Sequence, residues 1–279
     1  MCLSLLLSEK GGWKMDVKQE LARKAESVKG ETKLTKSMSI SDMIKVMEPE
    51  IKRALPKVIT PERFTRMALS ALNITPQLKE CNPVSFLAAL MNAAQLGLEP
   101  NTPLGQAYLI PYKNKGVLEC QFQIGYKGLI DLAYRNPQMQ IIQAQAVYEN
   151  DYFEYELGLN PKLVHRPAME DRGDIRLFYG LFKLTNGGFG FEVMSKSYMD
   201  AYAREYSKSF DSSCSPWKSN YTDMARKTVI KQALKYAPIK TEFRKALSTD
   251  ETVKMQFCED MSEVQNEEIY DAEYEEKIS

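Results

Sequence analysis

The sequence predicts an α+β fold, in which a compact core of a small antiparallel β-sheet with hairpins packs against several helices. Three observations lead to this prediction. Apolar residues repeat with a helical period up to about residue 98, they alternate with polar residues over the next stretch, and turn-forming residues separate the alternating runs. Helical patterns return from about residue 197.

The first helices have well-marked starts, because a capping side chain precedes a proline at the first helical position. The pattern occurs three times, as Thr60–Pro61, Thr75–Pro76 and Asn82–Pro83. The last pair opens an apolar helix, which Gly97 is expected to end as a C-terminal cap. Structure is expected to begin near Ser41.

A hairpin is predicted over residues 105–126, where the apolar period changes to two around a Lys-Asn-Lys-Gly turn. A second hairpin is predicted over residues 174–194, because Asn186 and Gly187 tolerate the positive φ of tight turns. The remaining elements are a short helix over 127–136, strands over 139–150 and 152–157, a loop through His165, and helices over 197–246.

Three regions are predicted along the chain. Residues 1–40 form a flexible N-terminal arm, residues 41–246 a folded core, and residues 247–279 an acidic, disordered tail. The codons for residues 10–14 can spell a purine-rich ribosome-binding sequence directly before Met15. Met15 is therefore the hypothesised natural start, with residues 1–14 as a mis-assigned extension.

The formal charge of zero hides an asymmetry. From residue 246 to 279 there are 11 acidic and 2 basic residues, which leaves 35 basic and 26 acidic residues upstream. Such an excess of cations can hold a polyanion, because lysines and arginines that neutralise phosphates release condensed counterions. Ordinary surface charge is the alternative interpretation.

Several protein classes lack their sequence signature here. The five cysteines are scattered, which indicates a reduced, cytoplasmic protein without a disulfide framework or thiolate zinc site. No apolar run approaches the length of a membrane span. The phosphate-binding loop of common NTPases is absent, which disfavours ATP-driven work. No cofactor is expected. His165 is the sole histidine, which disfavours a catalytic triad.

Residues 215–238, SPWKSNYTDMARKTVIKQALKYAP, are strongly basic and read as an amphipathic helix. Lys227, Lys231 and Lys235 follow at four-residue steps and form a stripe. The residues expected to be buried on the other side are Ala225, Val229, Ala233 and Tyr236. The alternative is a solvated helix face on which Asp223 pairs with Lys227.

The first hairpin interleaves aromatic and basic residues, with two glutamines on one strand face: Tyr112, Lys113, Lys115, Gln121, Gln123, Tyr126 and Lys127. This composition suits single-stranded nucleic acid, because any base can stack on an aromatic ring while the cations follow the backbone. The alternative is core packing, since Tyr108, Phe122 and Tyr126 alternate with polar residues.

Four blocks of the sequence, in order and spacing, resemble the RecT family of phage and prophage single-strand annealing proteins. These blocks are FLAALMNAAQLGLEPNTPLGQAYLIPY, CQFQIGYKGLIDLAYRNPQ, NGGFGFEVMSK and SPWKSNYTDMARKTVIKQALKYAP. The resemblance runs from about Ser41 to Lys245, and the arm and the acidic tail lie outside it.

The resemblance implies an ATP-independent recombinase that coats single-stranded DNA and pairs it with a complementary strand, without making or breaking bonds. It also implies a DNA groove where the sheet meets long helices. The candidate phosphate contacts in the matching blocks are Lys113, Lys115, Lys127, Arg135, Lys218, Arg226, Lys227 and Lys231. Tyr126 and Trp217 are candidate base or backbone contacts.

The resemblance also implies partners. These are single-stranded DNA, the annealed duplex, further copies of this chain in a homo-oligomer, a partner exonuclease and the host single-strand binding protein. No membrane is expected among them, and the compartment is the cytoplasm of a bacterial host cell. The acidic tail either solvates the protein as a disordered segment, or mimics DNA and docks a partner.

Two rival functions stay open at this point. A metal-dependent nuclease acting on the same DNA would need carboxylates such as Glu119, Asp131, Glu154 and Glu156. A structural assembly protein would instead bind the acidic tail of a neighbouring subunit with its basic patch.

Overall fold

The computed structural model describes residues 38–57, 59–207, 210–211, 215–238, 241–256, 261 and 263–267. The chain divides into two compact units, Met1–Met38 and Ser39–Ser279, and all but one of the described residues belong to the second. Met15 and nearly all of the predicted N-terminal arm lie outside the described residues.

The predicted α+β class is confirmed, with small antiparallel sheets packed against helices. The helices are α1 Ile40–Val46, α2 Glu48–Ala54, α3 Pro61–Ile74, α4 Pro83–Leu96, α5 Tyr126–Tyr134, α6 Lys196–Tyr206, α7 Pro216–Ser219, α8 Tyr221–Ala233 and α9 Thr241–Thr249. The strands are β1 Ala107–Asn114, β2 Val117–Ile124, β3 Met139–Tyr148, β4 Tyr152–Glu156, β5 Lys162–Arg166, β6 Ile175–Leu184 and β7 Phe189–Ser195.

Two of the three predicted helix starts have the expected side-chain caps. The Thr60 hydroxyl accepts from the Arg63 amide at α3, and the Asn82 side chain accepts from the Val84 amide at α4. Gly97 ends α4 with a φ of 57°, as expected of a left-handed cap. Thr75 makes no side-chain cap, and the residues after it form only a four-residue 3₁₀ turn, Pro76–Lys79.

The strands form three separate sheets rather than one. The β1–β2 and β4–β5 hairpins are two-stranded, and the third sheet has the order β3-β6-β7. The first hairpin has the predicted turn and places Tyr108 opposite Gln123. His165, expected in a loop, lies on β5 opposite Phe153, because its segment pairs with the preceding strand.

Helix α8 packs across one face of the three-stranded sheet. The closest approach is at Gly180 on β6, where an added Cβ would lie 2.5 Å from the Val229 carbonyl oxygen. Phe178, Trp217 and Val229 are buried together in the core between this face and the helices α6 to α8. The glycine therefore sets how closely the basic helix can approach the sheet.

The β4–β5 hairpin covers part of the opposite face of this sheet. Phe153 stacks on Tyr179, with 5.5 Å between ring centroids. Below the hairpin, the fully buried Asp151 carboxylate accepts two hydrogen bonds from Arg172 and lies 3.1 Å from His165 Nε2. These contacts join the hairpin to the loop that follows it.

The chain continues along β2 after α9. The Glu251 amide donates to the Phe122 carbonyl at 2.9 Å, and the Phe122 amide donates to the Thr252 carbonyl at 3.1 Å. Val253 and Met261 are fully buried. Five described residues of the region predicted as a disordered tail are buried, namely Thr249, Asp250, Val253, Lys254 and Met261. No described helix is long and apolar enough to cross a membrane.

Candidate nucleic-acid interface

Three of the predicted contact residues meet at the start of α5. The guanidinium of Arg226 lies over the Tyr126 ring, 5.8 Å from its centroid, and exposed Lys127 is the next residue along α5. Tyr108, which alternation suggested was a core residue, is 40% exposed and lies in the same place. We call Tyr108, Tyr126, Lys127 and Arg226 the aromatic–basic patch.

The patch is held together by a close approach of two loops. An added Cβ on Gly125 would overlap the Gly105 carbonyl oxygen, so only glycine lets the end of β2 turn directly into α5 here. An added Cβ on Gly105 would lie 3.1 Å from the Tyr108 hydroxyl and 3.6 Å from Lys127 Cδ. This places the Tyr108 hydroxyl and the Lys127 side chain beside the same residue of this loop.

The Arg226 side chain is 29% exposed, so its terminal nitrogens keep hydrogen-bonding capacity for a ligand. Its Nη1 lies 3.6 Å from the Asp223 carboxylate, and its Nε is buried without a hydrogen-bond acceptor among the described residues. A guanidinium presents five N–H donors in a planar fork that matches the oxygens of a phosphate. Asp223 thus pairs with Arg226, whereas the solvated-face interpretation paired it with Lys227.

Lys227 and Lys231 also come together, but around carboxylates of the chain itself. The Lys227 ammonium lies 3.0 Å from Asp250 Oδ1 and 2.6 Å from Glu251 Oε1, and the Lys231 ammonium lies 2.9 Å from Asp250 Oδ2. The Lys227 side chain is only 3% exposed and that of Lys231 is 33% exposed. We call Lys227, Lys231, Asp250 and Glu251 the lysine–carboxylate clasp.

The clasp is tied to β2 as well as to α8. Asp250 accepts from the Ile124 amide at 2.8 Å, and the Glu251 carboxylate lies 3.5 Å from the Gln123 amide nitrogen. The nearby Lys227 charge lowers the pKa of Glu251, and the partial burial of the carboxylate opposes this shift. Burial lowers the pKa of Lys231, but the Asp250 and Glu251 charges outweigh it and the net shift is upward.

The C-terminal end of the basic stripe, at Lys235 and Tyr236, differs from the prediction in its burial. Lys235 and Tyr236 are exposed, and Tyr236 reaches 80% exposure although it was expected to be buried. The α-helix ends at Ala233, and the tighter 3₁₀ turn Leu234–Tyr236 places Leu234 in the core instead. Ala225, Val229 and Ala233 are buried as predicted.

Two of the other predicted contacts have structural partners. Trp217 is buried in the core and packs edge-on to Tyr221, with ring centroids 5.8 Å apart. Arg135 donates to the Leu96 carbonyl at 2.5 Å and the Gly97 carbonyl at 3.1 Å. Arg135 therefore satisfies carbonyl groups at the C-terminal end of α4.

Of the remaining predicted lysines, Lys113 and Lys115 lie apart from the patch. Exposed Lys218 donates to the Asp211 carbonyl at 2.7 Å. Lys113 pairs with Leu118, and Lys115 lies in the hairpin turn, at the opposite end of β1 and β2 from Tyr108. At about 3.3 Å per strand residue, five or more residues separate the turn from Tyr108 by roughly 17 Å or more.

An aromatic pair on α6 was missed by the sequence analysis. The rings of Tyr202 and Tyr206 lie 4.4 Å apart, and Tyr206 is 64% exposed. Burial raises the pKa of Tyr202 while the Lys231 charge opposes the rise, so the pair begins beside the clasp. The four-residue spacing of Tyr198, Tyr202 and Tyr206 is the signal that would have placed them on one helix face.

The carboxylates that a nuclease would need are dispersed. Glu154 accepts from the Tyr152 hydroxyl at 2.7 Å and from Lys162 at 3.0 Å. Glu119 accepts from Asn114, and Asp131 accepts from Arg135. Within the described part of the chain, no three His, Cys, Asp or Glu residues are grouped so that they could hold a metal ion.

Comparison with known proteins gives a family match that extends past the boundary of the resembling blocks. The RecT family model matches residues 62–269. Protein RecT of Escherichia coli (strain K12) is 38% identical over 209 residues, which cover 74% of this chain and 77% of that protein. Uncharacterized protein YqaK of Bacillus subtilis (strain 168) is 28% identical over 212 residues, 76% of this chain and 71% of that protein. The chain belongs to the RecT family.

Proposed function

We propose that this member of the RecT family of single-strand annealing proteins binds single-stranded DNA and pairs complementary strands in homologous recombination. It does so without ATP, as an oligomer on DNA, and without making or breaking bonds. The observation that carries the proposal is the aromatic–basic patch, in which Arg226 lies over Tyr126 beside Lys127 and exposed Tyr108. Aromatic faces for bases beside cations for phosphates suit a single strand of any sequence.

The physical task of annealing is to bring two mutually repelling phosphate chains together while their bases stay free to pair. Cations that neutralise the backbones reduce this repulsion, and contacts to phosphates leave the base edges available. Correct pairing then supplies the driving force. Oligomerisation multiplies weak sites along one strand, which raises the effective concentration of each next site without an energy-consuming cycle.

Among the predicted contact residues, those of the patch are the best candidates for direct contact with DNA. The Arg226 side chain is 29% exposed with its Nη1 3.6 Å from Asp223, and Lys127 is exposed. Lys227 is buried against carboxylates, so its removal would report on folding as much as on DNA binding. Three lysines would serve as phosphate contacts outside the patch: Lys113, Lys115 and Lys218. Lys231 would contact a phosphate at the exposed edge of the clasp. Arg135 and Trp217 would stabilise the fold around the interface.

The wider role includes partners. A partner exonuclease would expose the single strands and the host single-strand binding protein would hold them, within the cytoplasm of a bacterial cell. The family match and the 38% identity to Protein RecT support this assignment.

The test is annealing of two complementary labelled oligonucleotides without nucleotide triphosphate, together with affinity for one strand as a function of salt. The Lys127→Ala/Arg226→Ala double variant should bind more weakly at every sequence and anneal more slowly. Its log–log salt slope should fall by about 1.4, because each phosphate contact to a single strand contributes about 0.7.

The matched control is the Lys162→Ala/Arg166→Ala double variant. Arg166 also lies over a tyrosine ring, 5.5 Å from the centroid of Tyr152, but on the β4–β5 hairpin. An equal loss of affinity and slope in both double variants would remove the patch from the proposal. Shortening of labelled strands with Mg²⁺ would favour the nuclease, and assembly without DNA affinity would favour a structural protein.

A further inference from the structure

We infer that Glu251 is an internal competitor of the DNA backbone. Its carboxylate occupies a phosphate position beside Lys227 and Lys231, and a bound strand displaces it. This inference rests on the proposed function and adds a residue that lowers the affinity of the protein for single-stranded DNA. The remaining contacts of the clasp stay in place when the strand binds.

The two carboxylates of the clasp differ in burial, and this difference assigns their roles. The Asp250 side chain is fully buried and accepts from Lys227, Lys231 and the Ile124 amide. The Glu251 side chain is 42% exposed, and its carboxylate is held by Lys227 and, at 3.5 Å, by Gln123. Asp250 is therefore the anchor, and Glu251 is the group that solvent or another anion can replace.

A phosphodiester can use the donors that Glu251 now occupies. Each phosphate carries one negative charge and accepts hydrogen bonds from ammonium and amide groups, as a carboxylate does. With Glu251 in place, two lysines and two carboxylates cancel. When the Glu251 carboxylate moves away, the clasp carries one net positive charge, which a phosphate can neutralise.

Displacement needs the side chain to move, not the segment. The Glu251 amide stays bonded to the Phe122 carbonyl, and the neighbouring Thr252 carbonyl accepts from the Phe122 amide. Glu251 has a φ of 61°, a left-handed conformation that is uncommon for residues other than glycine and that recurs at switch regions and ligand clamps. The backbone thus holds the carboxylate over Lys227 at some conformational cost.

The position of Glu251 explains why it would matter to a strand. Arg226 of the aromatic–basic patch precedes Lys227 in α8, and Tyr202 of the α6 pair feels the charges of both Lys231 and Glu251. Glu251 is therefore close to Tyr202, and its partner Lys227 directly follows a residue of the patch. A strand that stacked bases on the patch and on the α6 pair would carry its phosphates past this carboxylate.

The experiment compares affinity for a labelled oligonucleotide between the full-length protein and its Glu251→Gln variant. Glutamine keeps the shape and an acceptor for Lys227 but removes the charge. The variant should bind about five-fold more tightly at about 0.05 M salt, the scale of one partly exposed ion pair that no longer has to be broken. Its salt slope should stay close to that of the wild type, because the strand makes the same phosphate contact in both proteins. Glu251→Gly, which suits the left-handed backbone, should bind more tightly as well.

The control is Glu156→Gln, which removes the same charge from an exposed position on β4. Thermal unfolding of each variant confirms that it is folded. If the wild type binds and anneals DNA but Glu251→Gln gains no more affinity than Glu156→Gln, the competitor inference is wrong and the proposed function stands. If the wild type binds no single-stranded DNA, the proposed function itself fails.

Discussion

The buried Asp151 carboxylate stabilises the β4–β5 hairpin through donors from several segments. Arg172 reaches it with two nitrogens at 3.0 and 2.6 Å, and the Tyr148 and Ala168 amides donate at 2.9 and 2.8 Å. The Arg172 bond is the main reason why the pKa of Asp151 is far below its ordinary value, and the burial of the carboxylate only partly opposes it. His165 completes the set between Asp151 and the Tyr179 hydroxyl.

This depressed pKa predicts a stability change in acid. A carboxylate with a lowered folded-state pKa stabilises the protein above its unfolded pKa of about 3.9, and that stabilisation is lost as the pH falls below this value. Asp151→Asn should lower the unfolding free energy by about 2 kcal/mol near pH 7, the scale of a hydrogen bond to a charged group. The difference from the wild type should shrink toward about pH 3 in urea unfolding. An equal difference at both pH values would show that the ionised carboxylate is not what matters.

At the scale of elements, α8 shows what the sequence can and cannot predict. Helical spacing placed Ala225, Val229 and Ala233 on the buried side, because periodicity depends only on neighbours in the same helix. Lys227 is also buried, because the clasp carboxylates that neutralise it come from another segment, 23 and 24 residues further along the chain. Spacing carries no information about such partners. Tyr126, Lys127 and Arg226 were predicted as contact residues, but the sequence did not show that they lie together. Tyr108 was not predicted as a contact, because only the close approach of two loops brings it to the patch.

The packing of α8 on β6 predicts a strong effect of one methyl group. In Gly180→Ala the new Cβ would meet the Val229 carbonyl oxygen at 2.5 Å, and backbone cannot move aside as a flexible side chain can. The variant should lose about 2–3 kcal/mol of unfolding free energy, as expected for overpacking, and should bind DNA less well because Arg226 shifts with the helix. Gly188→Ala is the control, since its Cβ would meet only side chains, Asn186 Oδ1 at 3.1 Å and Leu184 Cδ1 at 3.5 Å. Equal urea midpoints for the two variants would contradict this account of the packing.

At the scale of the whole molecule, the acidic C-terminal region and the basic body are joined by ion pairs. The acidic region supplies Asp250 and Glu251, whose carboxylates lie against two lysines of the basic body. Composition could separate the two charges along the chain, but it could not show that they meet. The family match to residue 269 runs through the same region, so the family segment includes part of the predicted acidic tail.

Two truncations measure how much this region contributes. Ending the chain after Thr249 removes Asp250, Glu251 and the fully buried Val253 and Met261, whereas ending it after Ile269 keeps all of the family segment. Each buried apolar side chain is worth about 1.5–3 kcal/mol, and loss of the carboxylates leaves Lys227 buried without its partners. The shorter chain should therefore lose at least about 5 kcal/mol, which lowers the melting temperature by roughly 10–20 °C for a chain of this size. The longer truncated chain should melt near the wild type. Similar melting temperatures for both truncations would mean that the segment after α9 does not hold the core together, and that its carboxylates serve only as competitors for the lysines they cover.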